Sequence, residues 1–263
     1  MNGSSQNPHR KAFKSGIALF LTFAAGYVDI VGVLTVYQMF TAHMTGTTVH
    51  LGEQIIQRNW KAAAIAATIV AAFIVGSVIG RVVIEVGARK RFRRVASIAL
   101  FLELLLLAAA AWWGSRLLPT HQAASQPTGL ICEILSLFAG AMGLQTATLT
   151  RIGPLTVHTT FVTGMLNKLA QLITRWLFLS YDVRRSPSNT RARLLEALSN
   201  VRWESALMVG VWVCYLGGAV CGTWAGLQWQ FDALYLPCLL LLLAIVADQI
   251  LPLSLEEEKQ QSD

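Results

Sequence analysis

TAHMTGTTVHLGEQI, residues 41–55, returns in altered form as TTFVTGMLNKLAQLI at 159–173. Aligned without gaps, the two share Thr41/Thr159, Thr45/Thr163, Gly46/Gly164, Leu51/Leu169 and Ile55/Ile173. Each copy follows a long apolar run and turns amphipathic after its Thr-Gly pair. A polar, glycine-interrupted segment in both halves of a membrane chain is the best sequence-level pointer to a binding site. The fold therefore turns on whether the surrounding runs cross a bilayer.

The 263-residue chain is 54% hydrophobic and 13% charged, with a mean hydropathy of +0.53. That lies outside the balance of ordinary soluble domains. Runs of the roughly 20 apolar residues that span a bilayer lie near 16–40, 62–84, 95–113, 129–149, 205–227 and 233–252. The first follows Arg10, Lys11 and Lys14, as a secretory signal does. Its apolar run, however, continues through YVDIVGVLTVYQMF, too long for a cleaved segment, and reads as a retained helix.

Basic residues set the orientation. His9, Arg10, Lys11 and Lys14 precede the first span, and Arg89, Lys90, Arg91, Arg93 and Arg94 separate the second from the third. Arg151, Lys168, Arg175, Arg184, Arg185, Arg191, Arg193 and Arg202 separate the fourth from the fifth. The alternate connections hold only Arg58 and Lys61, then Arg116, then none. Lys and Arg mark the cytoplasmic side, so the reading is a multi-pass protein of the inner cell membrane with both termini cytoplasmic. The net charge of +7 then follows from topology, with anionic headgroups as a second claimant on the basic loops. Nucleic acid is not required as a partner.

Three spans per half put the second half into the membrane from the opposite side, so any structural repeat is inverted, the layout of many secondary transporters. The expected fold is all-α and polytopic: six transmembrane helices as two inverted three-helix repeats, each with a T-G broken or interfacial segment. It forms one membrane domain over 1–263, with repeats at about 14–113 and 128–252 and flexible cytoplasmic tails at 1–13 and 254–263. Small residues recur at every fourth position in the second span (Ala64, Thr68, Ala72, Gly76, Gly80) and in the fifth (Gly210, Cys214, Gly218, Gly222, Gly226). Such stripes let helix backbones approach closely in lipid, although Gly is also simply common in membrane helices. The expectation is that Gly76, Gly80, Gly218, Gly222 and Gly226 pack these two helices on each other or on the T-G segments.

Asp29 ends the sequence Gly26-Tyr27-Val28-Asp29 deep in the first span. An ionisable group there is expensive unless it faces a polar interior, and is a functional candidate by default. Matching Ala25-Gly26 to Ala139-Gly140 puts Gly143 opposite Asp29, with Gln145 two residues on. The candidate substrate-binding or coupling residues are Asp29, Thr45, Gly46, Thr47, Thr163, Gly164, Gln145 and Glu103. Glycines 46 and 164 admit positive φ or a close ligand, and a helix starting just after each would aim N–H groups at an anion. The bland alternative is a pair of amphipathic helices lying flat on opposite surfaces. Glu133 and Asp248 sit near span ends and read as interfacial, and Arg81 and Glu85 are spaced to pair across one helical turn.

Other chemistry finds no footing. The cysteines (132, 214, 221 and 238) lie inside spans and read as small apolar fillers. His43 and His50 lack a third ligand for a metal. No G-x-S-x-G, H-E-x-x-H or P-loop occurs, so neither an enzyme nor a cofactor is expected. Residues 182–203 read as a cytoplasmic loop with a short amphipathic helix, and Glu256-Glu257-Glu258 as a solvated tail.

GYVD with HMTGTTVHLG, and TTFVTGMLNKLA in the second half, resemble the YoaK / DUF1275 family of bacterial integral membrane proteins over about residues 14–252. The resemblance implies a six-span inner-membrane protein and supplies no substrate. Thr47 stands where the family pattern often has Asn. The expected function is a small secondary transporter of a modest polar or anionic solute, driven by a proton in one version. Its partners are the lipid bilayer and that solute, with homo-oligomerisation left open. The alternative is a membrane scaffold or sensor whose T-G segments bind a lipid or a partner protein.

Overall fold

The computed structural model describes residues 8–35, 39–90, 92, 94–118, 127–148, 151–152, 155–156 and 162–250. The helices are α1 (Pro8–Thr35), α2 (Met44–Ile56), α3 (Trp60–Arg89), α4 (Val95–Leu117) and α5 (Thr128–Thr148), then α6 (Val162–Arg185), α7 (Ser188–Trp229) and α8 (Tyr235–Ile250). A 3-10 turn, Gln230–Leu234, joins α7 to α8. Two antiparallel two-residue strands, β1 (Arg151–Ile152) and β2 (Leu155–Thr156), lie between α5 and α6. The tail at 254–263 and its glutamates fall outside the described residues, whereas α1 is helical from Pro8, inside the stretch expected as a tail.

Among the described residues, five helical stretches are long and apolar enough to cross a membrane, where six spans were expected: Ala12–Thr35, Trp60–Arg89, Val95–Leu117, Thr128–Ala147 and Asn189–Ile250. The last runs through α7, the 3-10 turn and α8, so the expected fifth span and the described part of the sixth fall within one stretch. Large apolar side chains also cover the outer faces. Ile74, Val75 and Val78 on α3, Val213 and Val220 on α7, and Leu239 and Val246 on α8 are all exposed. A soluble monomer rarely carries so continuous an apolar surface; lipid tails cover it without cost.

Two close helix pairs build the interior, α3 on α5 and α1 on α7. Both pairs run parallel. Gly76 and Gly80 of α3 meet Gly140 and Leu144 of α5, while Gly218 and Gly226 of α7 meet Phe23 and Leu34 of α1. The glycine stripes therefore face α5 and α1 rather than one another, while α3 also packs on α2 and α7 on α6, the helices that carry the T-G pairs. The reason lies in the partners, which supply glycines of their own, Gly143 and Gly26, to the same seams. Helix α4 runs against α8, with Ser97 near Asp248 at one end and Gly114 against Phe231 at the other. Leu21, Tyr27, Leu100, Leu107, Leu135 and Phe138 fill the centre, all essentially inaccessible.

Helix α7 corrects the reading of 182–203 as a loop. Residues 188–203 are the opening turns of one 42-residue helix, joined to α6 by only Ser186 and Pro187. No glycine or proline occurs between 188 and 209, and Ala, Leu, Arg and Glu are good helix formers. At 1.5 Å per residue the helix is about 63 Å long, twice the roughly 30 Å hydrocarbon layer. Its charged beginning packs along α6 through Met165, Leu172, Val201, Leu207 and Met208.

Glu85 also pairs differently from the expectation. Its carboxylate takes Arg89 (3.1 Å) rather than Arg81. Acid before base across one turn is the favoured order along a helix.

The corner between α2 and α3 is closed by Arg58 at φ 56°. Asn59 N–H donates to the Gln54 carbonyl (3.0 Å), Arg58 N–H to that of Ile55 (3.1 Å), and Asn59 Nδ2 to Gln54 Oε1 (2.8 Å). This left-handed position past a helix end normally carries glycine. Arg58→Gly is expected to raise stability by about 0.5–1 kcal/mol, measured as a higher unfolding midpoint in detergent.

Candidate functional site

Asp29 lies six residues before the end of α1 and is 4% exposed. Its Oδ1 accepts from Thr41 N–H (2.9 Å), the Thr41 hydroxyl (3.2 Å) and Ala42 N–H (2.8 Å). Its Oδ2 accepts from the Tyr215 hydroxyl of α7 (2.9 Å). The carboxylate thus joins α1, α7 and the bend that opens α2. The carboxylate is fully engaged, and its backbone donors come from the bend before α2 rather than from the first turn of that helix.

The T-G pairs do not precede their helices. Helix α2 starts at Met44 and α6 at Val162, so Gly46 and Gly164 lie within the first turns. A β-carbon at Gly46 would come 2.5 Å from His43 Cδ2, so the bare backbone there makes room for the imidazole. Thr47 is buried, its hydroxyl donating to the Phe40 (3.0 Å) and His43 (3.2 Å) carbonyls across the bend. Thr45 and Thr163 are exposed. Asp29, Thr41 and Thr47 thus form one locus; Thr163 and Gly164 begin a helix packed beside the other end of α1, near Ala18.

Gln145 and Glu103 belong elsewhere. Gln145 Nε2 donates to the Leu21 carbonyl of α1 (3.1 Å), pinning α5 to α1, while its Oε1 has no partner among the described residues. Glu103 is 1% exposed, and neither carboxylate oxygen has a hydrogen-bond partner among the described residues. Asp248, expected to be interfacial, is fully buried; it takes a short hydrogen bond from the Ser97 hydroxyl, which in turn accepts from Gln249 Nε2 (3.2 Å). Glu133 is exposed.

The two glycine seams are built alike. A β-carbon on Gly26 would overlap the Tyr215 carbonyl oxygen, and one on Gly143 would overlap that of Phe73. Gly218 stands against the Phe23 carbonyl as Gly76 does against that of Gly140, and Gly222 against Tyr27 as Gly80 does against Leu144. In these two seams Gly143 stands on α5 where Gly26 stands on α1, and Thr146, three residues on, where Asp29 stands.

Sequence reading missed Tyr215. Its signal was a tyrosine beside the small-residue stripe, since a buried phenol needs a partner for its O–H. Among the described residues no group of three or more His, Cys, Asp or Glu is placed to hold a metal ion.

The chain is 26% identical over 184 residues to the UPF0700 transmembrane protein YoaK of Bacillus subtilis (strain 168), covering 70% of this chain and 78% of that one. No solved structure matches it significantly. The family model described as "Protein of unknown function (DUF1275)" matches residues 17–247. With nearly all of the helical bundle inside that match, the chain belongs to the DUF1275 family and is a membrane protein.

Proposed function

We propose that the protein is a small secondary transporter of a modest polar or anionic solute, built as an inverted repeat of two three-helix units and driven by a proton on a buried acid. The paired glycine seams carry this reading. Phe23, Gly26, Tyr27 and Ile30 of α1 meet α7 as Gly140, Gly143, Leu144 and Ala147 of α5 meet α3. The helix order is exchanged between the two sets, which is what an inverted repeat requires: first span on fifth, fourth on second. Transporters of this design bind solute near the repeat interface and alternate access by rocking one unit against the other.

The two halves differ in charge at matching places. The bend before α2 holds the Asp29 carboxylate, whereas Thr146, its counterpart, turns its hydroxyl back to the Met142 carbonyl (2.7 Å). An anionic solute would be repelled at the first T-G and is better suited to the start of α6, where helix N–H groups favour negative charge.

Proteoliposomes challenged with labelled small polar and carboxylate solutes should accumulate at least one of them above protein-free vesicles. Gly46→Leu, and Asp29→Asn by loosening the junction of α1, α7 and the bend before α2, should lower that uptake by about tenfold, ~1.4 kcal/mol. Uptake equal to that of protein-free vesicles for every solute class, or variants equal to wild type, overturns the reading.

The scaffold reading rests on the α6–α7 hairpin. Ile173, Trp176, Leu177, Phe178 and Tyr181 on α6 are exposed beside Arg175, Arg184 and Arg185, the composition of a surface that meets lipid or another protein. Cysteines placed at 45 and 163 separate the readings: labelling from water at membrane depth supports transport, and labelling at the interface supports the scaffold.

A further inference from the structure

Among the described residues, four buried side-chain atoms lack a hydrogen-bond partner: Ser77 Oγ, both oxygens of Glu103 and Gln145 Oε1. They sit on three neighbouring helices and fall at one depth. Ser77 N lies beside Gly143, which sets α3 against α5 at that height. A β-carbon on Gly140 would sit 3.7 Å from Leu106 Cδ1, which sets α4 against α5. Helix α4 leaves the end of α3 through the Gly87–Val95 contact and so runs opposite to both α3 and α5. Glu103, one turn back from Leu106, therefore comes level with Gln145 to within about one helical turn, roughly 5 Å.

Buried polar groups are almost always paired, and an exception calls for a cause. Here the cause is a shortage of hydrogen. The oxygens of an ionised Glu103 and the Gln145 Oε1 can only accept, and the Gln145 amide nitrogen is already spent on Leu21. Among the described residues no basic side chain pairs with Glu103. Of the titratable groups on the helices against α4, Cys238 of α8 is within electrostatic reach of Glu103. Asp248 is engaged with Ser97, Glu85 with Arg89, and Arg116 stacks on Trp112 at 4.8 Å. Glu133, Arg81 and Asp232 are exposed. An ionised carboxylate buried with no cation would be very costly; one added proton removes the charge and supplies the missing donor.

We propose that Glu103 is an exchangeable proton-binding site at mid-membrane, taking its proton from water and returning it there, with Gln145 Oε1 an acceptor at the same level. This deepens the transport reading, on which its coupling role rests, and moves the coupling acid away from Asp29, whose oxygens are already held by donors.

Infrared difference spectra of the purified full-length protein test the site without any solute. Wild type should show a carboxylic-acid C=O band at neutral pH that shifts in heavy water and is lost as the pH is raised. Glu103→Gln should remove the band, and Glu103→Asp, which keeps an acid, should retain it at a shifted position. A wild-type band that is missing, that survives in Glu103→Gln, or that neither exchanges nor responds to pH overturns the proposal. Because no solute is present, a missing band sinks the site whatever the uptake assay gives, and failed uptake leaves the spectrum standing.

Discussion

Gly218→Leu is expected to separate α1 from α7 and to cost about 3 kcal/mol or more, read as a collapse of the monodisperse peak on gel filtration and a lowered unfolding midpoint. The first side-chain carbon would already overlap the Phe23 carbonyl oxygen, and Tyr27 N lies 3.0 Å from the same point. Neither atom can rotate away, because both belong to helix backbone. The helices must move apart, and in lipid, where close packing rather than water exclusion holds helices together, separation forfeits most of the attraction. Gly218→Ala should fail too, to a lesser degree. Gly52→Ala sets the contrast: nothing lies within 4 Å of its β-carbon, so alanine should stabilise exposed α2 by about 0.5–1 kcal/mol. One substitution thus changes sign with position, and a chain without the α1–α7 seam would not show that reversal.

Asp29→Ala should be the most damaging change at a polar position. It strips an acceptor from Thr41 N–H, Ala42 N–H and the Tyr215 hydroxyl at once, and Thr41 and Ala42 are buried. Each orphaned buried donor costs about 1–3 kcal/mol, so a loss of about 3–5 kcal/mol is expected. Asp29→Asn keeps Oδ1 for the two backbone donors, and Tyr215 can turn to accept from the new amide; about 1–2 kcal/mol should suffice there. Tyr215→Phe should resemble the asparagine variant. The double variant should lose less than the sum of the two, the coupling expected of residues in direct contact. Strict additivity in thermal unfolding would mean that the α1–α7 hydrogen bond contributes nothing.

Hydropathy made the apolar runs legible, and the small-residue stripes marked which helices approach closely. What the stripes could not name was the partner, because a backbone-to-backbone seam needs a glycine on only one side at each level. Residue identity is likewise a weak guide where the constraint is the space a carbonyl leaves. Charge misled at 188–203, where the arginines set a short helix apart in a loop although no glycine or proline separates it from the span that follows. Asp29 was visible as an oddity, but its role was not. Two of its partners come from a bend 12 and 13 residues on and the third from 186 residues away, beyond any local pattern. Asp248 looked interfacial from its place in the chain; the Ser97 that buries it lies 151 residues upstream.

The unbroken course of α7 has a mechanical consequence. Between Pro187 and Pro237 the chain contains no proline, and the helix runs unbroken from the arginine-rich hairpin to the hydroxyl that grips Asp29. Arg191 and Tyr215 are therefore ends of one rod about 36 Å long. A rod without a hinge transmits tilt. Whatever pulls on the hairpin moves the phenol, and with it the bend that opens α2 at the other end of the bundle.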